Sequence, residues 1–170
     1  MATYCYAHRG AAVPYNGQGG CVLRRNVDLP DLIANPSKLA LAAAPTTPLS
    51  SFTAFGAADI LELFEVPAGF TVTHVGARVT TEEGATCTAD IGNCSATQTH
   101  RLSANPDGLQ GTLDLDSEGT QVGLIADEDL GGSTYECVVF VTAGSIDITF
   151  GHAATDTCIF DVWVNGFMAW

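Results

Sequence analysis

Lysine is nearly missing from this chain. Of its 170 residues only Lys38 is one, and with five arginines it makes six cations against 19 carboxylates, a formal charge of −13. A surface so short of positive charge repels nucleic acid and anionic membrane. Long apolar runs are missing too: the longest, near Leu39 to Ala44, falls far short of the ~20 residues that span a bilayer. The opening Met-Ala-Thr-Tyr-Cys-Tyr-Ala-His-Arg has neither the basic nor the apolar region of a secretory signal, so the expectation is a protein made and first folded in a cytoplasm. Motifs of chemistry are lacking as well. His8, His74, His100 and His152 are scattered, with no His-Glu-x-x-His. The glycines at 17, 19 and 20 are followed by neither Lys-Ser/Thr nor a helix, and Gly131-Gly132-Ser133-Thr134-Tyr135 lacks the closing glycine of a nucleophile elbow. Asp114-Leu115-Asp116-Ser117-Glu118-Gly119 begins like a calcium loop but places Ile125 where the bidentate glutamate belongs. Cys5, His8 and Cys21 supply three zinc-type ligands without a fourth nearby. No catalytic, cofactor-binding or metal-binding residue is assigned, and no enzyme is expected.

What is present is alternation. In Ser145 to Phe150 the apolar residues Ile146, Ile148 and Phe150 take one side and Ser145, Asp147 and Thr149 the other, a period of two that reads as a strand. Tyr135, Cys137, Val139 and Val141 alternate in the same way, and so do Cys158, Phe160, Val162 and Val164. Three such runs with short breakers between them predict an antiparallel meander that needs a second apolar layer. Ile60 to Val66 and Phe70 to Thr80 read as two more strands joined by Pro67-Ala68-Gly69, where Gly accepts a positive φ. The apolar parity of the second changes from Phe70 and Val72 to Val75, Ala77 and Val79, which predicts a β-bulge at Thr73 or His74. Further strands are expected over Thr86 to Ile91, Thr112 to Leu115 and Gln121 to Ala126. Asn105-Pro106-Asp107-Gly108 reads as a turn, and Thr97 to Ala104 as a short helix or rim loop. The fold class is all-β, an antiparallel β-sandwich of jelly-roll or Greek-key type with an extended N-terminal arm.

That arm is residues 1–58 and the sandwich domain residues 59–170. The first segment carries Arg9, Arg24, Arg25 and Lys38 against Asp28 and Asp31, whereas 17 carboxylates and two arginines follow it. Glycines and prolines interrupt it every few residues, and only Pro36 to Ala44 offers a helical turn or two, ended by Pro45. Tyr4, Tyr6, Tyr15, Leu23, Val27 and Leu29 nonetheless make it more apolar than a solvated linker. Cys137 and Cys158 read as buried thiols on strand faces. Cys87 and Cys94 flank a tight loop and could bridge in oxidising surroundings or stay paired as buried thiols.

Ile60-Leu61-Glu62-Leu63-Phe64-Glu65-Val66-Pro67-Ala68-Gly69-Phe70, the Asp90-Ile91-Gly92 element, Thr142-Ala143-Gly144-Ser145-Ile146-Asp147-Ile148-Thr149-Phe150 and the closing Phe160-Asp161-Val162-Trp163-Val164 together resemble the β-sandwich decoration, or cement, proteins of tailed bacteriophage heads. The resemblance covers about residues 59 to 167. It implies a homotrimer, or other oligomer, seated on the major capsid protein at local symmetry axes on the outer surface of the virion, made in the host cytoplasm and stabilising the head. No nucleic acid, membrane or cofactor is among the implied partners. The other function that fits such a sandwich is a receptor- or glycan-binding module of a phage tail or fibre. As partner-contact residues we take Tyr4, Tyr6, Tyr15, Arg24 and Arg25 on the arm, and Ile159, Trp163, Phe167 and Trp170 at the C-terminus. The last four stand opposite the inward Phe160, Val162 and Val164 or end the chain, so the last strand is apolar on both faces. Such a strand is either central in the sandwich or pressed against another subunit. Deletion of residues 1 to 35 is expected to abolish head binding and to leave the sandwich folded.

Overall fold

A computed structural model describes residues 2–7, 20–84, 86–93, 105–123, 126–127, 133–134, 138–152 and 155–168. Among them are thirteen strands, one short α-helix and one 3-10 turn (Pro36–Lys38): β1 (Thr3–Tyr6), β2 (Cys21–Asp28), α1 (Leu29–Ala34), β3 (Leu39–Leu41), β4 (Ile60–Val66), β5 (Phe70–Thr81), β6 (Thr88–Asn93), β7 (Asn105–Asp114), β8 (Gly119–Gly123), β9 (Ala126–Asp127), β10 (Ser133–Thr134), β11 (Val138–Val139), β12 (Gly144–Phe150) and β13 (Ile159–Met168). They form two main sheets, a six-stranded one in the order β3-β1-β4-β12-β6-β7 and a five-stranded one in the order β11-β5-β13-β2, with β8 also along β5. β9 and β10 make a separate small pair. Pairing is antiparallel except where β1 runs parallel to β4. The chain is an all-β sandwich.

The inward side chains close one core. Leu61, Ile146, Ile148 and Phe150 of the six-stranded sheet face Phe70, Val75, Phe160, Val162 and Val164 of the other, and all of these are buried. Alternation does this work on β13, where Phe160, Val162, Val164 and Gly166 are buried and the odd-numbered residues between them are half-buried or exposed. The parity change read in β5 is a bulge. Asn165 stands opposite His74 and Gly166 opposite Val72, so Thr73 is the extra residue, and its hydroxyl donates to the Asn165 carbonyl (3.2 Å). Gly69 has the positive φ (84°) that its turn demands.

Several expectations are corrected. The three C-terminal runs are not a meander: β11 pairs with β5, β12 lies between β4 and β6, and β13 lies between β5 and β2. The chain therefore passes from one sheet to the other between β11 and β12 and back again between β12 and β13. Alternation reports which side of a strand is apolar and is silent on which strand lies beside it. Asn105-Pro106-Asp107-Gly108 does not end a strand but begins β7. Between the pairs Ile91 with Gln110 and Asn93 with Asn105, β7 has three residues more than β6, and an edge strand accommodates both that irregularity and a proline. The run 97–104 lies outside the described residues.

Residues 20–58 are not an arm separate from the sandwich. β2 forms one edge of the five-stranded sheet, paired along its full length with β13 from Ile159 opposite Asp28 to Gly166 opposite Cys21. β1 and β3 extend the six-stranded sheet beyond β4. Val27, Leu29, Leu39 and Phe55 are completely buried in the shared core. The helical turn expected from Pro36 is present as a single 3-10 turn, Pro36–Lys38, but it is shorter than expected and an unforeseen α-helix precedes it. Asp28 caps α1 by accepting from the Asp31 N–H (2.9 Å), Pro30 sits in the first turn, and Leu39 to Leu41, inside the run read as helical, is strand.

Candidate interaction surface

The nine residues taken as partner contacts separate into three groups. Ile159, Trp163 and Phe167 share the outward face of β13, and the register brings Arg24 of β2 opposite Trp163 on that same face. Tyr4, Tyr6 and Arg25 point toward the sandwich interior. Tyr15 and Trp170 lie outside the described residues.

The inward group is occupied within the chain. Tyr4 packs edge-on against Phe52 and Phe55, with ring centroids 5.3 Å away in each case, and Phe55 stacks on Phe150 at 4.3 Å. Arg25 stands opposite Val162 on the inward side of edge strand β2, where its guanidinium reaches the margin of the core. It lies 4.4 Å over the Tyr6 ring and 5.9 Å from Phe64, a cation–π contact that joins the five-stranded sheet to β1 and β4 of the six-stranded sheet. Burial pushes the Tyr6 phenol up to about 12, with Arg25 opposing the shift.

The outward face is ordered by two interactions that the sequence motifs did not signal. Trp163 stands opposite Gly76 of β5, and a Cβ at Gly76 would come within 2.3 Å of its Cζ2. The indole therefore lies flat across the backbone of β5, a close approach that glycine permits in mid-strand. Beside it, Asp161 is flanked by Asn26 and Arg78. It accepts from Arg24 Nη2 (2.8 Å) and Asn26 Nδ2 (3.2 Å). The Arg24 hydrogen bond, followed by that of Asn26 and the charges of Arg24 and Arg78, holds the Asp161 carboxyl below its usual range. Val22 (66 % exposed) and Phe167 (40 % exposed) complete the face, because Asn165 pairs with Val22 and Phe167 is two residues further along the same side of β13. Val22, His74, Arg78 and Asp161 belong to this face and were not picked out from sequence. The signal was present in β2: Val22, Arg24 and Asn26 alternate with Cys21, Leu23 and Val27, but Arg25 at an inward position masks the period.

The thiols are internal. Cys87 is free and buried, its Sγ 3.3 Å from Thr155 Oγ1, so the bridge entertained to Cys94 is not formed by Cys87; Cys94 itself lies outside the described residues. Cys158 is free and buried at the start of β13, as read from its strand face. Both sit by Glu83, a buried carboxylate that accepts from the N–H groups of Asp156 (3.2 Å), Thr157 (2.9 Å) and Cys158 (3.0 Å). Burial acts to raise the Glu83 pKa, yet the backbone donors outweigh it and hold the carboxyl below its ordinary value. Among the described residues, no group of three His, Cys, Asp or Glu side chains is placed to hold a metal ion.

No protein-family model and no curated protein matches the sequence. Among solved structures, the chain is similar to one from "Cyanophage Pam1 capsid asymmetric unit", with a TM-score of 0.43 and 18 % identity over 96 % of each chain. It is also similar to one from "Capsid of Ralstonia phage GP4", with a TM-score of 0.55 and 14 % identity over 99 % of this chain and 100 % of that one. At such identity the likeness to the Ralstonia phage chain is one of fold, and it runs through residues 20–58 as well as the strands that follow.

Proposed function

We propose that this chain is a structural protein of a phage particle, a decoration or cement protein that binds the major capsid protein on the outer surface of the head and stabilises the shell. The supporting observation is the end-to-end sharing of fold with a chain of the Ralstonia phage GP4 capsid. The match covers 99 % of this chain and 100 % of that one. The resemblance read in residues 59–167 leads to the same class by an independent route. On this reading the chain is made in the host cytoplasm, assembles as a homotrimer and has no enzymatic role. Its partner contacts are Arg24, Ile159, Trp163 and Phe167, with Tyr15 and Trp170 retained from the sequence.

The test is a reconstruction of the particle together with the mass of the free protein. Hundreds of copies of the sandwich on the outside of the head, and a solution mass near three times 17.7 kDa, are the expected results. Tens of copies or fewer, confined to the tail, would overturn the proposal in favour of a receptor- or glycan-binding module.

A further inference from the structure

The two sheets are oppositely endowed with charge. The six strands of one sheet contain no lysine or arginine and six carboxylates, among them Glu62, Glu65 and Asp90, which the register places on the outward side, and Asp147, which lies on that side but is buried. The strands of the five-stranded sheet and β8 contain Arg24, Arg25 and Arg78 against only Asp28 and Asp161. In a chain of formal charge −13, three of the five arginines are thus gathered into one sheet. Two of them, Arg24 and Arg78, flank Asp161 on its outward face, where both are exposed.

The same face carries two of the four large apolar side chains exposed among the described residues, Val22 and Phe167, diagonal to one another across β2 and β13. It is also held in place before any partner arrives. Trp163 is seated on Gly76 and Arg24 is paired with Asp161, so these two side chains have less freedom to lose on docking. An apolar centre beside arginines, one of them already held by a carboxylate, is the composition that recurs at the core of protein interfaces.

We propose that the outward face of the five-stranded sheet, from Val22 and Phe167 across Trp163 to Arg24 and Arg78, is the surface by which the chain docks, and that its occupant is an acidic protein surface of the head shell. This rests on the function proposed above. A second copy of the chain fits the face less well. Two copies face to face oppose arginines to arginines, which is repulsive. Joining this face to the acidic outward face of a second copy links opposite sides of the sandwich, a contact that repeats as an open filament. The trimer contacts then fall on other surfaces.

The experiment uses the full chain and heads assembled without it. A photo-crosslinking residue placed at Val22 or Phe167 is expected to join the shell protein within a segment rich in Asp and Glu, and one placed at Glu65 on the opposite sheet is not. The double variant Arg24→Glu/Arg78→Glu is expected to bind at least about ten-fold more weakly, with the deficit shrinking in high salt. The milder Arg24→Gln/Arg78→Gln pair is expected to show a smaller deficit of the same kind, with an unchanged circular dichroism spectrum. Cross-links from position 65 and not from 22 or 167, cross-links between copies of the chain, or full binding by the folded glutamine pair would each overturn the assignment of this face. If the unsubstituted chain does not bind the heads at all, the proposed function falls and this inference with it.

Discussion

Residues 20–58 and residues 59–168 line one core with sequences of different character. The later region is built of long alternating strands, and its main pairings, β12 with β4 and β6 and β5 with β13, lie within it. The earlier region has a six-residue helix, a three-residue strand and a stretch without regular structure that nevertheless buries Phe55 completely. Its strand β2 has its ladder against β13, and the backbone of Phe55 bonds to Thr155 in both directions (3.1 and 3.0 Å). What separates the two regions is where their order comes from. Elements too short to be stable alone take their conformation from the apolar surface and open strand edges they cover.

Deleting residues 1 to 35 is the severest way to break that relation. It removes β1, β2 and α1, exposes one whole side of β13 and uncovers the inward residues that Val27, Leu29 and Leu32 cover. This reverses the expectation from the sequence that the sandwich stays folded without residues 1 to 35: the expected outcome is loss of cooperative thermal unfolding and of the near-ultraviolet dichroism of a packed core, so the truncated chain fails to bind because it fails to fold. A sharp transition in the truncated chain would show that the later region is sufficient on its own.

Next in size is Phe55→Ala. The ring touches Phe52 at 4.7 Å and stacks on Phe150, so it joins the earlier region to β12. Truncating a fully buried phenylalanine costs about 3 to 5 kcal/mol, to be read from the midpoint of denaturant unfolding at constant m-value. A cost near zero would mean that the earlier region rests on the core without contributing to it.

Glu83 sharpens the contrast from the other side, because it fixes the entry to β13, on which both regions depend. Its folded pKa lies below the ordinary 4.5, so the unfolded chain binds the proton more tightly. The stabilisation is complete above about pH 4.5 and is lost as pH falls through the folded value. Glu83→Gln, which keeps the shape and removes the charge, is expected to cost about 2 kcal/mol at neutral pH. It should also flatten the decline in stability on acidification. Parallel acid profiles for the two proteins would show that the three N–H donors do not depend on the charge.

How much of this was legible follows from what each pattern encodes. Parity along Phe70 to Val79 placed the bulge at Thr73 or His74, and the register puts it at Thr73; parity along β13 separated Phe160, Val162 and Val164 from Trp163 and Phe167, because side-chain direction in a strand is a local property. Neighbour identity is not local. Nothing in Ser145 to Phe150 says that β12 pairs with β4 rather than with β11 or β13. The docking of β2 was hidden by one residue, Arg25, charged at an inward position yet close enough to the sandwich margin to use Tyr6 and Phe64. Half of the candidate surface was visible as the outward residues of β13. The remainder, Val22, His74 and Arg78, needed the register that sets β2 and β5 on either side of it.

Arg25 also provides the smallest test. If the margin of the core is held by the guanidinium lying over Tyr6, then Arg25→Met keeps most of the apolar stem and removes only the charge. The expected loss is about 1 kcal/mol, the scale of a partly desolvated cation–π pair. Because Arg25 opposes the burial that raises the Tyr6 phenol, removing it should drive the titration of that phenol further upward in an ultraviolet pH titration. A stability loss without that movement would mean that Arg25 packs against the ring without acting through its charge. The earlier region would then be fastened to the later one by apolar contact alone.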